Sequence, residues 1–345
     1  MALSSGGRIE KWDNLKGLLM ILVVLGHIFD VYANTSEVCA ILRYFIYIFH
    51  MPLFLFVSGL FSKSHVKQRN ARAVMSYFLL FIVIKVLVFA SKWVAYGKYP
   101  GFSLISTSGV AWYAFVLCSF CLITMAVDRF EPVHIFIVSI VIGCLAGYDR
   151  NLGDKLCLMR TAVFYPFFFA GYCLDEAKVR KFFSDKKIKI ASAVLIAACF
   201  LIVWFCYDGI SDLRLMYTGK NSYITVFGRN LPYAFLLRLL IYAVSALMGA
   251  AFIAVTPEKS LVSVLPSIGR KTLQIYALHM PLKYLYLGLL NDRFHIENYF
   301  VSKLPLYSVL ISAVLVAVCC LPFWGTVLNK LIKIPGRKTV RAENS

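Results

Sequence analysis

The chain has 345 residues, 60% of them hydrophobic and only 15% charged, against roughly 25% charged in an ordinary soluble domain. A mean hydropathy of +0.76 places it among polytopic membrane proteins and excludes a soluble globular fold. The formal net charge of +19 does not point to nucleic acid, because no basic stripe with interleaved aromatics lies in a soluble segment; basic loops retained on the cytoplasmic side, facing anionic membrane lipids, account for it.

In chain order, the apolar run that follows Lys16 is too long for a cleavable signal peptide and lacks a small-residue cleavage site. At about 20 apolar residues per span, the sequence offers ten candidate spans: 16–34, 38–62, 73–96, 110–127, 133–148, 161–174, 188–206, 232–255, 272–290 and 306–329. The fifth and sixth are short, as tilted, broken or re-entrant elements are when packed against protein. With the N-terminus in the cytoplasm, loops on that side carry about twice as many Lys and Arg as those opposite, which supports ten spans with both termini cytoplasmic. The expected fold is therefore an all-α, polytopic membrane helix bundle. Its expected parts are a cytoplasmic segment 1–15, a single membrane domain 16–331 and a basic cytoplasmic tail 332–345. The ten Cys are scattered through apolar runs without a disulfide framework. Cys118 and Cys121 form a CxxC with no second pair and read as core packing, so no metal is expected.

Lys16, Lys85, Arg238 and Lys283 fall inside spans, whereas no carboxylate lies deep in one. That absence argues against a proton pump built on buried acids and against a paired-carboxylate hydrolase. In Asp13-Asn-Leu-Lys16…Gly26-His27, eleven residues separate Lys16 from His27, about 1100° of helical turn, so both lie on one face about 16 Å apart along the axis. An ionisable side chain near mid-bilayer is a functional-site hypothesis by default, and an imidazole suits a general base near neutral pH. A core histidine bonded to a neighbouring helix stands as the equal alternative. Asp30, one turn on, reads either as a group that orients the imidazole or as an acid at the outer interface. His50, in Phe49-His-Met-Pro52, falls at the depth of His27 on the next span, beside a proline that frees backbone groups. Ser58-Gly59 follows, as a polar contact or a close-packing step. Trp112-Tyr113 opens the fourth span, as site residues or as an interfacial belt. Arg160 precedes Pro166 in a short span, either facing a polar cavity that takes an anionic group or a sugar or anchoring the outer interface. His279, beside Pro281, sits mid-span in the ninth.

These residues resemble acyltransferase family 3, the integral-membrane O-acyltransferases of surface carbohydrates, and look closest to the fucose 4-O-acetylase-like branch. The resemblance covers nearly the whole chain. It is carried by Asp13-Asn-Leu-Lys16-Gly…Val24-Leu-Gly-His27, by Phe49-His-Met-Pro-Leu-Phe-Leu-Phe-Val-Ser58-Gly59, and more loosely by Trp112-Tyr113, Arg160 through Gly171, and Ile275-Tyr-Ala-Leu-His279. Lys16 stands where many members have Arg. The family often carries a fused extracytoplasmic hydrolase-like domain, and none is expected here.

The resemblance implies transfer of an acyl group, most often acetyl, from cytoplasmic acetyl-CoA to a hydroxyl of a carbohydrate, lipid-linked or on the cell surface, by a multi-pass protein of the cell membrane. It implies catalytic roles for His27 and His50 and donor binding at Lys16 and Asp13. Arg160, Trp112, Tyr113, Ser58, His279 and Asp30 become candidates for the acceptor or the oxyanion. Outside the family, the rival reading is a transporter or flippase for a glycan precursor or organic anion, favoured by broken helices and mid-membrane basic residues but lacking paired halves.

Overall fold

The computed structural model describes residues 9–105, 109–153, 155–229, 231–260 and 263–332. Arg8 and the basic tail beyond Ile332, both expected in the cytoplasm, lie outside the described residues. In chain order the principal helices are α1 (Glu10–Tyr32), α2 (Glu37–Leu60), α3 (Ala71–Tyr96), α4 (Trp112–Val127), α5 (Pro132–Ala146), α6 (Leu158–Cys173), α7 (Lys186–Phe205), α8 (Ala234–Val255), α9 (Val264–Arg270), α10 (Thr272–Tyr286), α11 (Leu304–Cys319) and α12 (Pro322–Ile332). No β-strand occurs among the described residues. The chain is an all-helical membrane bundle.

By length and apolarity, α1, α2, α3, α7 and α8 can each cross a membrane, and α11 with α12, bent by 63°, form a sixth, broken span. Each of the ten expected spans contains a helix, but α4, α5, α6 and α10 have only 15 or 16 residues. At 1.5 Å per residue they reach about 22–24 Å, short of a hydrocarbon core of about 30 Å. The apolar run that contains α10 does not end with that helix: it continues through a π-helical turn, Leu287–Asn291.

Local chemistry fixes where the long helices begin and how close they come. The Tyr32 carbonyl accepts from the Thr35 and Ser36 amides, and the Ser36 hydroxyl then caps α2 at the Cys39 amide. Asn70 caps α3 at the Ala73 amide, and Gly97, with φ of 63°, closes it. Pro52 lacks the N–H that would bond the Ile48 carbonyl four residues back; the Ser245 hydroxyl of α8 donates to that carbonyl at 2.6 Å. The helix break and the α2–α8 contact are thus one interaction.

α1 is the hub, packed against α2, α9, α10 and α11. It approaches α9 closely because Gly17 lies against the Leu265 carbonyl and Gly269 against the Asp13 carbonyl, with no room for a Cβ at either. Gly59 of α2 and Gly171 of α6 form a second, reciprocal crossing: each faces the other helix's backbone, at Phe168 and Phe56. Arg160, in the first turn of α6, bonds the Thr218 carbonyl, and Tyr44, in the first half of α2, meets Tyr217, so α2 and α6 run side by side in the same direction. The amino end of α1 is tied to the carboxyl end of α8. The fully buried Lys11 donates to the Thr256 carbonyl at 3.2 Å and to Glu258 at 3.0 Å, and Asn14 donates to the Pro257 carbonyl at 3.1 Å.

Candidate functional site

His27 lies in the second half of α1, behind Gly26, whose missing side chain admits the Tyr47 ring of α2. Its ring is partly accessible although Val24, Ile28 and Phe29 around it are buried. The His279 ring of α10 stands beside it, with centroids 5.4 Å apart and planes at 30°. Lys283, one turn beyond His279 and 8% exposed, donates to the His27 backbone carbonyl at 3.4 Å. His279, Lys283 and His50 are the titratable neighbours in electrostatic range of the His27 imidazole. Helical spacing makes this possible: Tyr276, His279 and Lys283 fall at i, i+3 and i+7 on the α10 face turned to α1.

The tautomers follow from the backbone. The Nδ1 of His50 lies 2.8 Å from the Ile46 carbonyl, and that of His279 lies 2.9 Å from the Ile275 carbonyl. A carbonyl only accepts, so each Nδ1 carries the proton and each Nε2 keeps its lone pair. The Nε2 of His279 is buried and has no hydrogen-bond partner among the described residues. A buried polar atom in that state is rare in packed interiors and marks a place that a ligand or a proton completes. The His27 ring itself makes no hydrogen bond among the described residues, so its nitrogens are free to meet a reactant.

A polar relay continues from α10 toward α4. Tyr276 is 6.4 Å, ring to ring, from His279 and 5.4 Å from Tyr113. Its hydroxyl donates to the Val110 carbonyl at 2.6 Å and accepts from the Ala114 amide at 3.1 Å. This holds the start of α4 inside the bundle. The Ser58 hydroxyl donates to the Phe54 carbonyl at 2.9 Å, so the Tyr113 hydroxyl, 2.7 Å away, donates to Ser58.

The sequence-derived candidates are spread along the bundle. Lys16 sits at the amino end of α1, a quarter exposed, paired with the buried Asp13 at 2.9 Å and lying 5.9 Å over the Phe61 ring. Between Lys16 and His27 on the same face, Met20 and Val23 are buried. His27 and His279 are together in the middle. His50 lies on the adjacent helix, its ring against Tyr47 at 5.1 Å rather than against His27. Asp30 binds Arg43 at 2.7 Å. Trp112 is buried and stacked on Phe164, with the Arg160 guanidinium 4.7 Å over its ring, so the Trp112–Tyr113 pair faces the interior. Ser58 and Tyr113 are joined as described. Sequence reasoning missed Lys283, Tyr276, Tyr47 and Arg43 as site residues; the i, i+3, i+7 pattern of α10 was the signal for the first two. No group of three or more His, Cys, Asp or Glu that could hold a metal occurs among the described residues.

Imidazoles and a lysine gathered inside a membrane bundle make this the candidate functional centre. The acyltransferase-3 family model, described as "Acyltransferase domain", matches residues 9–324. The chain belongs to that family, and the protein is an integral membrane acyltransferase. It is also similar to the nodulation protein NolL of Sinorhizobium fredii (strain NBRC 101917 / NGR234), with 25% identity over 251 residues, covering 64% of this chain and 68% of that protein. No solved structure matches.

Proposed function

We propose that the protein is an O-acyltransferase that moves an acetyl group from cytoplasmic acetyl-CoA to a hydroxyl of a carbohydrate, lipid-linked or on the cell surface. The observation that carries the reading is the pairing of a partly accessible His27 with His279 and Lys283, on the same helix face as Lys16. In this scheme the chain crosses the cell membrane ten times with both termini in the cytoplasm, so that Lys16 opens to the donor. Lys16, held by Asp13, meets the donor phosphates. The axial distance of about 16 Å to His27 is comparable to an extended pantetheine arm, which would have to displace Met20 and Val23 on its way.

At the centre, a His27 ring nitrogen takes the proton of the acceptor hydroxyl as the oxygen attacks the thioester carbonyl. The new C–O bond forms, the C–S bond breaks, and the departing thiolate takes the proton back from the imidazolium. The orphan Nε2 of His279 accepts a hydrogen bond from the acceptor or from His27, which fixes the ring. Lys283 places positive charge beside the carbonyl oxygen as it becomes negative. Purified protein with labelled acetyl-CoA and a panel of glycans tests the reading. Label is expected in the glycan as an ester. Label that stays in the donor, or a glycan that crosses liposomes unmodified, would overturn it.

A further inference from the structure

Separate from the histidine pair, an apolar groove of about 480 Å³ runs between α2, α5, α6 and α8. The prolines inside α2 and α6, Pro52 and Pro166, lie on its wall, and the small residues Ala243, Ala246, Gly249 and Ala250 keep it open along α8. It follows α8 from Leu239 to Ile253, about 21 Å at 1.5 Å per residue. Two polar side chains on the wall are both satisfied: Ser245 donates to the Ile48 carbonyl at 2.6 Å and Tyr242 to the Val163 carbonyl at 2.8 Å. Nothing in the groove therefore calls for a polar ligand. Phe136, Leu174 and Leu239 of its lining are exposed, so it opens sideways, where the bundle meets hydrocarbon.

At the end where α1 begins, Leu174, Val179 and Phe183 line the groove together with Ile253. Val179 belongs to the short helix Glu176–Phe182, which the Trp12 indole of α1 holds by donating to Glu176 at 2.6 Å. Lys63 donates to the Leu174 carbonyl at 2.5 Å, which puts an ammonium at the mouth of the groove. On the short helix Val179 is buried, whereas Lys178 and Lys181, i and i+3, stand exposed on the adjoining face. Counter-charge is scarce there: the segment 175–189 carries six basic residues and three acids. Glu176 binds Arg180 at 3.3 Å. Asp175 lies in electrostatic range of Lys63 and Lys178 and accepts from the Lys178 amide, and Asp185 accepts from the Lys187 amide. Glu258, which Ser184 reaches, is bound to Lys11. Neither Lys178 nor Lys181 forms an ion pair among the described residues.

We infer that the groove holds one fatty-acyl chain of an anionic glycerophospholipid, with the headgroup phosphate at Lys63, Lys178 and Lys181. A volume of about 480 Å³ takes about sixteen groups of about 30 Å³, the share of a water and close to that of a methylene. Together with a length of about 21 Å, that describes a single chain. Hydrocarbon alone would suit a neutral lipid or a helix of another protein. The basic end selects an anionic headgroup, by about fivefold for each lysine near the phosphate. A second copy docked on the same face by two-fold symmetry would bring two such basic ends together. A chain in the groove touches Pro52 and Leu53 on the α2 side and Gly249 on the α8 side, and so braces the helix that carries His50 two residues before Pro52. The lipid comes from the surrounding membrane, so the inference does not depend on the acyl-transfer reading.

The test is native mass spectrometry of the purified full chain, stripped of lipid in detergent and titrated with phosphatidylglycerol or phosphatidylcholine carrying the same palmitoyl and oleoyl chains. One phosphatidylglycerol per chain should stay bound, at least about fivefold more tightly than phosphatidylcholine. Ala246→Trp fills the groove from an exposed position on α8 without changing charge, and should abolish the retained lipid. Lys178→Gln combined with Lys181→Gln should weaken phosphatidylglycerol about 25-fold and leave phosphatidylcholine as it was. Lys330→Gln, at an exposed lysine of α12 outside the groove, should change neither. Lys178 and Lys181 are exposed, so their double variant decides the question if Ala246→Trp does not fold. Equal affinity for the two lipids, a preference that survives the double variant, retention unchanged in Ala246→Trp, or a dimer in place of the bound lipid would overturn the inference.

Discussion

Replacing Lys16 by alanine separates binding of the donor's phosphates from the chemistry at His27. An ammonium about 4 Å from a phosphate oxygen gains about 4 kcal/mol at an effective dielectric of 20. Lys16 has 25% of its side chain exposed and already pairs with Asp13 at 2.9 Å, and screening at such a site cuts the gain to about 1–2 kcal/mol. That is about 5- to 30-fold in KM. Acetyl-pantetheine carries the same thioester on the same arm but lacks the nucleotide and its phosphates. Lys16→Ala should therefore raise KM for acetyl-CoA by that factor and leave KM for acetyl-pantetheine unchanged, so that discrimination between the two donors shrinks. The effect should appear in KM rather than kcat, because about 16 Å separates the ammonium from His27 along α1, and it should weaken with salt. Steady-state kinetics with both donors in detergent or nanodiscs measures it. An equal rise in KM for both donors, or a fall in kcat alone, would refute the placement of the phosphates at Lys16.

His27→Ala should lower kcat by about 10²–10⁴, the usual contribution of a positioned general base, while equilibrium binding of acetyl-CoA holds; rapid acetylation by this variant would remove His27 from the chemistry. Gly171→Val should destabilise the bundle by about 1–3 kcal/mol, because any Cβ there runs into the Phe56 backbone. Gly249→Ala should stay within about 0.5 kcal/mol, because its Cβ would meet Leu53 at an ordinary 3.6 Å; thermal unfolding in detergent compares the two. Ser245→Ala should cost about 1–3 kcal/mol by leaving the Ile48 carbonyl opposite Pro52 without a donor, and Pro52→Ala on that background, which restores the helical N–H, should recover part of it.

What the sequence made legible was local. Lys16 and His27 share a helix face because eleven residues make nearly whole turns, and α1 places them so. His279 and Lys283 could be seen as ionisable residues within a span, but their meeting with His27 joins positions about 250 apart in the chain, and spacing within α10 says nothing about which helix it faces. Arg43 was hidden, and Trp112–Tyr113 and Arg160 stood open between two readings, for another reason. A basic or aromatic residue near the start of an apolar run reads as an interface anchor, and only packing shows that Arg43, Arg160 and Trp112 turn inward. Span counting met the same limit. Hydropathy measures apolar length, whereas α4 begins inside the bundle, held by Tyr276, and α10 changes to a π turn at Leu287.

The positive charge of the chain thus has two origins that composition merges. Basic residues such as Lys67, Arg72 and Lys187 lie exposed outside the long apolar stretches. Arg43, Arg160 and Lys283 are buried, each set by a specific partner: Asp30, the Trp112 ring and the His27 carbonyl. Burying a charged side chain is expensive even with one partner, and the cost recurs at these three positions. The amino end of α1 carries two ammoniums, each matched by its own carboxylate: Lys11 by Glu258 and Lys16 by Asp13.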